Sequence, residues 1–135
     1  MAGPRGCRTN PSCLKGVKRK YHLSFKRFRT ASSPYEAIGK GRADIAFGFT
    51  TDPDLTVGFV GLRDDRHVFP SFHVTMLFRK RALARLGPDA RRVVARVQKP
   101  LTTRVLRDLN ARVFFDKKTP KKVASKYLRE AGFVK

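Results

Sequence analysis

Hydrophobic residues in the first half of the chain fall into short stretches that are typical of strands. Residues 45–49 form a continuous apolar run, which is typical of a buried strand and predicts one over residues 44–49, and residues 23–28 alternate between apolar and polar side chains. Residues 57–62 and 72–78 also show short strand-like patterns. We therefore predict four strands in these segments.

Two helices are predicted among these strands. Apolar residues at helical spacing indicate a helix over residues 14–22. Ser33 can cap a second helix, Pro34 suits its first position, and Gly39 or Gly41 ends it.

The apolar period changes to 3.6 residues after Lys80, which predicts a run of short helices. Their expected starts carry the usual helix-opening residues: Lys80, Pro88 with Asp89, Thr102 or Thr103, and Thr119 with Pro120. Gly132 is a stop signal for the last of them. The order of elements predicts an α/β chain with a helical C-terminal run.

Charge is the most extreme feature of the composition. The 135 residues, the size of one domain or part of a larger one, carry a net charge of +21. Residues 1–30 carry +9, residues 31–79 carry −1 and residues 80–135 carry +13. A chain of this charge binds phosphate backbones at low salt, although no sequence signature of a nucleic-acid-binding fold is present.

Residues 1–13 are rich in small, polar and basic residues and are predicted to be a disordered basic lead-in. This positive start is not followed by an apolar segment, so it lacks the pattern of a signal peptide. Cys7 and Cys13 are too few for a zinc site. Reduced structural thiols are the simpler interpretation, and a small disulfide loop is the alternative in an oxidising compartment.

Several short motifs occur in an order that resembles a known family. They include YEAIGKGRAD at 35–44, which is similar to Y-x-A-[IL]-x-x-G-x-x-D, and GFTTD at 48–52. LRDDRHVFP at 62–70 is similar to L-x-D-D-x-x-x-F-P. From Cys13 to Val134 the chain resembles the C-terminal half of the substrate-binding proteins of osmoprotectant ABC importers, which capture glycine betaine, choline, carnitine or proline betaine.

The resemblance implies part of a type II periplasmic-binding-protein-like clamshell with two α/β lobes. On that template residues 14–47 belong to lobe two, and residues 48–135 return to lobe one. Thr50, Thr51 and Asp52 then lie beyond the carboxyl end of a strand, where ligands bind in open α/β sheets. The alternative for these three residues is a simple Thr-Asp-Pro turn.

A quaternary ammonium has no N–H to donate, so aromatic faces hold it through cation–π attraction. The resemblance implies that Tyr35 supplies one aromatic wall, although a tyrosine packed on its own helix start is equally compatible with the sequence. The family often has a second tyrosine after the TTD motif. Here that region is one residue shorter, and Phe59 is the nearest aromatic residue. The ligand could therefore be betaine, choline or another small amine.

Asp64 and Asp65 form an acidic pair without an accompanying nucleophile or metal ligand. We predict that they fix a loop, and that His67 and His73 are structural. The sequence predicts no enzyme activity, no cofactor and no metal site.

The resemblance implies an ABC permease and its ATPase as partners. For the full-length family it implies a location at the extracellular face of the cell membrane or in the periplasm. It covers only half of the family's domain, so we expect weak or undetectable binding by these residues alone. A truncated product, a wrongly assigned start or a split protein would each explain this. The alternative function is a basic protein that binds nucleic acid or another anionic surface.

Overall fold

The computed structural model describes all residues from Met1 to Lys135 and divides into two compact units. The first unit consists of Met1–Phe49 and Val60–Phe72, and the second of Thr50–Phe59 and His73–Lys135.

The first unit is built around a very small parallel sheet. Strand β1 (Ala2–Gly3) pairs in parallel with β2 (Arg29–Thr30), and Ala2 also forms a parallel bridge to Ala46. The Ala2 N–H donates to the Ile45 carbonyl at 2.7 Å on that side. Strand β1 is therefore central, with β2 on one side and the Ala46 bridge on the other.

Residues 1–13 are ordered, so the prediction of a disordered lead-in is not what the structure shows. They contain β1 and a 3₁₀ turn at Arg5–Arg8, and Ala2 is fully buried. The physical reason is that two segments far along the chain supply β1 with backbone partners. Composition alone does not reveal such long-range pairing.

Two helices complete the first unit and confirm the local sequence signals. Helix α1 spans Leu14–Tyr21, and α2 spans Pro34–Gly39. The Ser33 hydroxyl accepts a hydrogen bond from the Glu36 N–H, as a helix N-cap should. The parallel strands alternate with helices, which is the arrangement of an α/β layer.

Small side chains form the core beside α2, where Ala2, Ala37 and Ala43 are buried together. A second cluster joins Cys7, Cys13 and Leu14. Cys7 and Cys13 form a disulfide with a Cα–Cα distance of 5.2 Å, so the preference for reduced thiols is wrong and the alternative loop is present. The turn at Arg5–Arg8 brings the two residues together, which their spacing in sequence alone could not decide.

The four predicted strands are the main difference between sequence and structure. Residues 23–28, 57–62 and 72–78 are not strands, and residues 44–49 provide only the Ala46 bridge. An apolar run indicates where a strand could form, but a strand also needs a neighbour for its backbone groups. That neighbour is missing for most of these segments.

The second unit is helical, and its helices lie where the period predicts them. They are α3 (Lys80–Leu86), α4 (Asp89–Gln98), α5 (Thr103–Phe114) and α6 (Pro120–Glu130). The Thr102 and Thr119 hydroxyls cap α5 and α6. Gly132, at φ 71°, follows the end of α6 in the left-handed conformation that glycine favours.

A 3₁₀ turn at Pro53–Thr56 packs against α5 in the second unit. Val123 is the unit's one buried apolar residue. The longest helix, α5, has 12 residues, and none of the helices combines the length and apolar character needed to cross a membrane.

Candidate functional site

The Thr-Thr-Asp segment is held by side chains of α5. Arg107 Nε donates to the Thr50 carbonyl at 2.8 Å, and Asn110 Nδ2 donates to the Thr51 carbonyl at 3.0 Å. Asp52 follows directly and precedes the 3₁₀ turn. The backbone of the predicted ligand-binding segment is therefore positioned by helix side chains rather than by a strand ladder.

Sequence reasoning did not find Arg107 and Asn110 as supporting residues. They are three positions apart on α5, so helix geometry places them on the same face. Two polar donors on one face can hold two successive carbonyl groups, but the spacing does not show which carbonyl groups these are. Their acceptors lie 57 and 59 residues away in sequence, which no local pattern could supply.

The five predicted site residues fall in both units. Thr50, Thr51, Asp52 and Phe59 belong to the second unit, whereas Tyr35 lies in α2 of the first. Tyr35 and Phe59 are half-buried, and Thr50 is exposed. Contact between any of them and a ligand stays a prediction.

A row of phenylalanine rings in the first unit was not anticipated as a feature. The Phe47 ring packs edge-on against Phe49 at 5.4 Å between centroids, and Phe49 packs edge-on against Phe72 at 6.3 Å. Phe49 and Phe72 are 50% and 72% exposed, so both present ring surface to solvent. Phe49 immediately precedes Thr50, which places aromatic and hydroxyl groups next to each other in sequence.

Asp64 organises a loop of the first unit. Its carboxylate accepts hydrogen bonds from the backbone N–H of Val68 at 3.0 Å and of Phe69 at 2.8 Å. The Tyr21 hydroxyl, at the end of α1, lies within hydrogen-bond distance of both carboxylates, 2.7 Å from Asp64 Oδ1 and 2.9 Å from Asp65 Oδ1. The prediction that the acidic pair fixes a loop is confirmed.

The surroundings of this loop shift two pKa values in opposite directions. Burial alone would raise the pKa of Asp64, but the backbone N–H groups of Phe69 and Val68 and the Tyr21 hydroxyl stabilise the carboxylate and lower it overall. Burial, opposed by the Arg66 N–H and reinforced by the two carboxylates, raises the pKa of Tyr21 to about 12. The Tyr21 phenol therefore stays protonated beside an ionised Asp64 carboxylate, so the phenol can donate a hydrogen bond that holds the loop.

Two basic side chains, Lys20 and Arg66, also hold this loop through hydrogen bonds to backbone carbonyls. Lys20 Nζ donates to the carbonyls of Arg66 and His67, both at 2.9 Å, and the Arg66 guanidinium donates to the Lys20 carbonyl at 2.7 Å. The Arg66 guanidinium also lies 5.7 Å from the centroid of the Tyr21 ring. Each group has a structural partner, and no cluster of three or more His, Cys, Asp or Glu side chains is placed to hold a metal ion.

Comparison with known proteins identifies the family. The model of OpuAC, the substrate binding domain of ABC-type glycine betaine transport system, matches residues 5–130. A relative is the "Ergothioneine transport permease/ergothioneine binding protein EgtU" of Helicobacter pylori (strain G27). It is 25% identical over 122 residues, which cover 88% of this chain and 22% of the relative.

A solved structure described as "Crystal structure of glycine betaine/carnitine/choline ABC transporter" has the same fold. The TM-score is 0.77 at 20% sequence identity, over 98% of this chain and 49% of that chain. The chain thus spans about half of this solved protein and about a fifth of EgtU. The predicted α/β, periplasmic-binding-protein-like fold class is confirmed.

The family match covers almost the whole chain, and the family is a class of binding proteins rather than of enzymes. This chain belongs to the family of substrate-binding domains of ABC-type glycine betaine transport systems.

Proposed function

We propose that the chain contributes to the capture of a small quaternary amine osmoprotectant for an ABC importer. The observation that carries this proposal is the family match over residues 5–130. The solved relative is named for glycine betaine, carnitine and choline, and EgtU is named for ergothioneine. We therefore propose glycine betaine or choline as first ligands to test, with ergothioneine as a third.

The proposed ligand contacts are those that the family resemblance implies. Tyr35 and Phe59 offer aromatic faces to a methylated ammonium, which has no hydrogen-bond donor of its own. Thr50, Thr51 and Asp52 offer hydroxyl and carboxylate groups on the segment that α5 holds. Phe49, which directly precedes this segment in sequence, adds exposed ring surface.

We further propose that residues 14–47 belong to lobe two of a clamshell and residues 48–135 to lobe one, as the resemblance implies. The sequence predicts a crossing between lobes near residue 47, and the first unit's opening segment ends at Phe49. The structure divides the chain again after Phe59 and after Phe72. The permease and ATPase of an importer are the proposed partners. The proposed location of the chain itself is the outer face of the membrane or the periplasm.

The binding test is a titration of the isotope-labelled chain with each amine, followed by NMR. A single half of a clamshell leaves a bound ligand exposed to water, so we expect weak binding, in the millimolar range or weaker. Shifts should concentrate at Tyr35 and residues 50–52. Glycine is the matched control ligand, because it is also a zwitterion but lacks the methylated ammonium.

Two variants sharpen the test. Tyr35→Ala should remove the amine-dependent shifts, whereas Tyr127→Ala, on α6, should leave them unchanged. Equal shifts with glycine and glycine betaine would contradict the proposed ligand class. Micromolar affinity of this chain would contradict the view that its matched half of the clamshell binds poorly alone.

The alternative of nucleic-acid or anionic-surface binding finds no support in the comparisons. It remains distinguishable by salt, because binding to phosphate backbones weakens steeply as salt rises. Capture of a net-neutral zwitterion should hardly change over the same range.

A further inference from the structure

An open groove lies at one end of the small parallel sheet in the first unit. Its volume of about 770 Å³ is in the range of small-molecule sites. None of the five predicted site residues lines the groove, so it is separate from the proposed amine contacts. The residues that line it are Arg5, Gly6, Arg8, Thr9 and Thr30.

The position of the groove follows from the parallel pairing of β1 and β2. The 3₁₀ turn at Arg5–Arg8 comes directly after β1 and Pro4, and Thr30 is the last residue of β2. The carboxyl ends of parallel strands meet at the same edge of a sheet, and ligands of open α/β sheets bind beyond that edge. The groove therefore lies where the fold favours a ligand.

The turn places two arginine side chains on the same side. Arg5 and Arg8 are three residues apart, and side chains with this separation eclipse each other in a 3₁₀ helix. Both residues are exposed, as are Thr9 and Thr30. Two guanidinium groups and two hydroxyl groups are therefore available to a ligand in the groove.

The positive charge of this groove is not neutralised within the chain. Residues 1–30 carry +9 with no acidic residue, and none of the ion pairs in the chain involves them. Arg8 is held in place, because its Nη2 donates to the Phe28 carbonyl at 3.4 Å and its guanidinium carbon lies 5.5 Å from the centroid of the Phe28 ring. The Arg5 guanidinium has no hydrogen-bond or ion-pair partner in the chain. One arginine is thus positioned, and the other is free to contact an anion.

Gly6 keeps the groove open between the two arginines. A Cβ added at Gly6 would meet nothing within 4 Å. A larger side chain at this position would therefore occupy the space of a ligand without colliding with the protein, which provides a steric test of the site.

We propose that this groove binds a phosphate group, with guanidinium donors from Arg5 and Arg8 and hydroxyl donors from Thr9 and Thr30. A phosphate dianion matches the charge of two arginines, and its oxygens can accept from all four side chains. A carboxylate has only two oxygens, and one guanidinium fork can engage both of them. A soluble phosphate and a lipid headgroup offer the same chemistry. The proposal does not rest on amine binding.

The test is a titration of the isotope-labelled full chain with inorganic phosphate, followed by NMR at constant ionic strength. At about pH 8 most of the phosphate is the dianion. The groove is open to water, so we expect a Kd of about 1 mM, with shifts concentrated at residues 5–9 and 30. Acetate is the matched control ligand and should bind about tenfold more weakly, because it engages only one arginine.

Two pairs of variants make the readout specific. Arg5→Gln should weaken phosphate binding about tenfold, whereas Arg19→Gln, at an exposed arginine of α1 outside the groove, should leave it unchanged. Gly6→Leu should abolish binding by filling the groove. Gly61→Leu, at another glycine with nothing within 4 Å of its added Cβ, should not. Unchanged signals outside the groove show that each variant is folded.

Vesicles distinguish the two sources of the phosphate group. The full chain is sedimented with phosphatidylcholine vesicles that contain or lack phosphatidic acid. Binding that requires phosphatidic acid and is lost in Arg5→Gln but not in Arg19→Gln would support the site and assign it to a lipid headgroup. Phosphate-dependent shifts without vesicle binding would support the site and assign it to a soluble phosphate.

Three results would overturn the proposal. Equal affinities for acetate and phosphate would contradict the assigned ligand class. Equal weakening by Arg5→Gln and Arg19→Gln would show general attraction to the charge of the chain rather than a site. Absence of phosphate-dependent shifts at residues 5–9 and 30, together with no vesicle binding, would show that the groove holds no phosphate group.

Discussion

The two units differ in how their chain is held together. Seven of the eight buried apolar residues belong to the first unit, where a disulfide and long-range hydrogen bonds join segments of irregular backbone. The second unit has four helices with well-defined ends and a single buried apolar residue, Val123. Regular secondary structure is therefore found where the core is small, and the larger core is found where regular structure is sparse.

This contrast shows that local order and tertiary stabilisation are separate properties of the chain. The helices of the second unit follow from capping and periodicity, which operate over a few residues. The first unit depends on close contacts between distant residues. Substitutions at those contacts should therefore reduce stability more than substitutions at contacts made by the helices of the second unit.

The largest effect is expected for Gly16→Ala in the first unit. A Cβ at this position would collide with the Pro11 carbonyl oxygen and lie 2.8 Å from Val68 Cγ1. We expect a loss of about 3 kcal/mol in the free energy of unfolding, measured with denaturant, because a backbone atom cannot move aside cheaply. Gly39→Ala is the control, since nothing lies within 4 Å of its added Cβ. Similar effects of both substitutions would show that the close approach at Gly16 is not stabilising.

Removal of the disulfide should have the next largest effect. Replacing Cys7 and Cys13 together by serine frees a loop closed over a sequence separation of 6. We expect a loss of about 2 kcal/mol, since the cross-link restricts the unfolded chain. Hydrogen exchange should become faster in β1 and β2 and stay unchanged in α5 and α6. Equal acceleration in both sets would contradict the division of stabilising contacts between the units.

A smaller effect is expected where α5 holds the Thr-Thr-Asp segment. Arg107→Ala and Asn110→Ala each remove one hydrogen bond to a backbone carbonyl, worth about 1 kcal/mol. Exchange at residues 50–52 should become faster in either variant. Arg104→Ala changes an exposed arginine of the same helix that makes none of these hydrogen bonds, and it should have no effect. If all three variants behave alike, the two hydrogen bonds do not position this segment.

The smallest effect is expected for the part of the pH dependence of stability that Asp64 contributes. Its pKa is lowered in the folded chain, so its contribution to stability is present above the unfolded value of about 3.9. That contribution is lost as the pH falls through the lower, folded value. Unfolding of the first unit should therefore become easier in acid, and Asp64→Asn should reduce this dependence. Asp65→Asn is the control, because the Asp65 carboxylate accepts from the Tyr21 hydroxyl, whereas the backbone N–H groups of Val68 and Phe69 donate to Asp64. If Asp64→Asn loses as much stability in acid as the unsubstituted chain, the acid dependence comes from other carboxylates.

The parts of the fold that sequence predicts are those decided locally. Ser33, Thr102 and Thr119 cap helices as their positions indicate, because a cap needs only residues three positions away. The order at residues 1–13 was not predicted, and the disulfide was only the alternative to reduced thiols, because both depend on contacts that the turn at Arg5–Arg8 and distant segments create. Most of the predicted strands do not form, because the neighbouring backbone that a strand needs must also come from a distant segment. For the candidate site, the segment 50–52 could be proposed from the family motif, whereas its support by Arg107 and Asn110 could not.

The central place of β1 has a consequence for how the first unit folds during synthesis. Ala2 and Gly3 leave the ribosome before their partners, which are Arg29–Thr30 and the chain around Ala46. Pairing with both partners therefore waits until more than forty further residues have been made. Until then the most buried strand of the unit has no partner. The disulfide between Cys7 and Cys13 joins residues only 6 positions apart, which is a much shorter separation than that between β1 and its partners. Oxidation of this local loop can thus precede sheet formation and reduce the conformations from which β1 must find its partners.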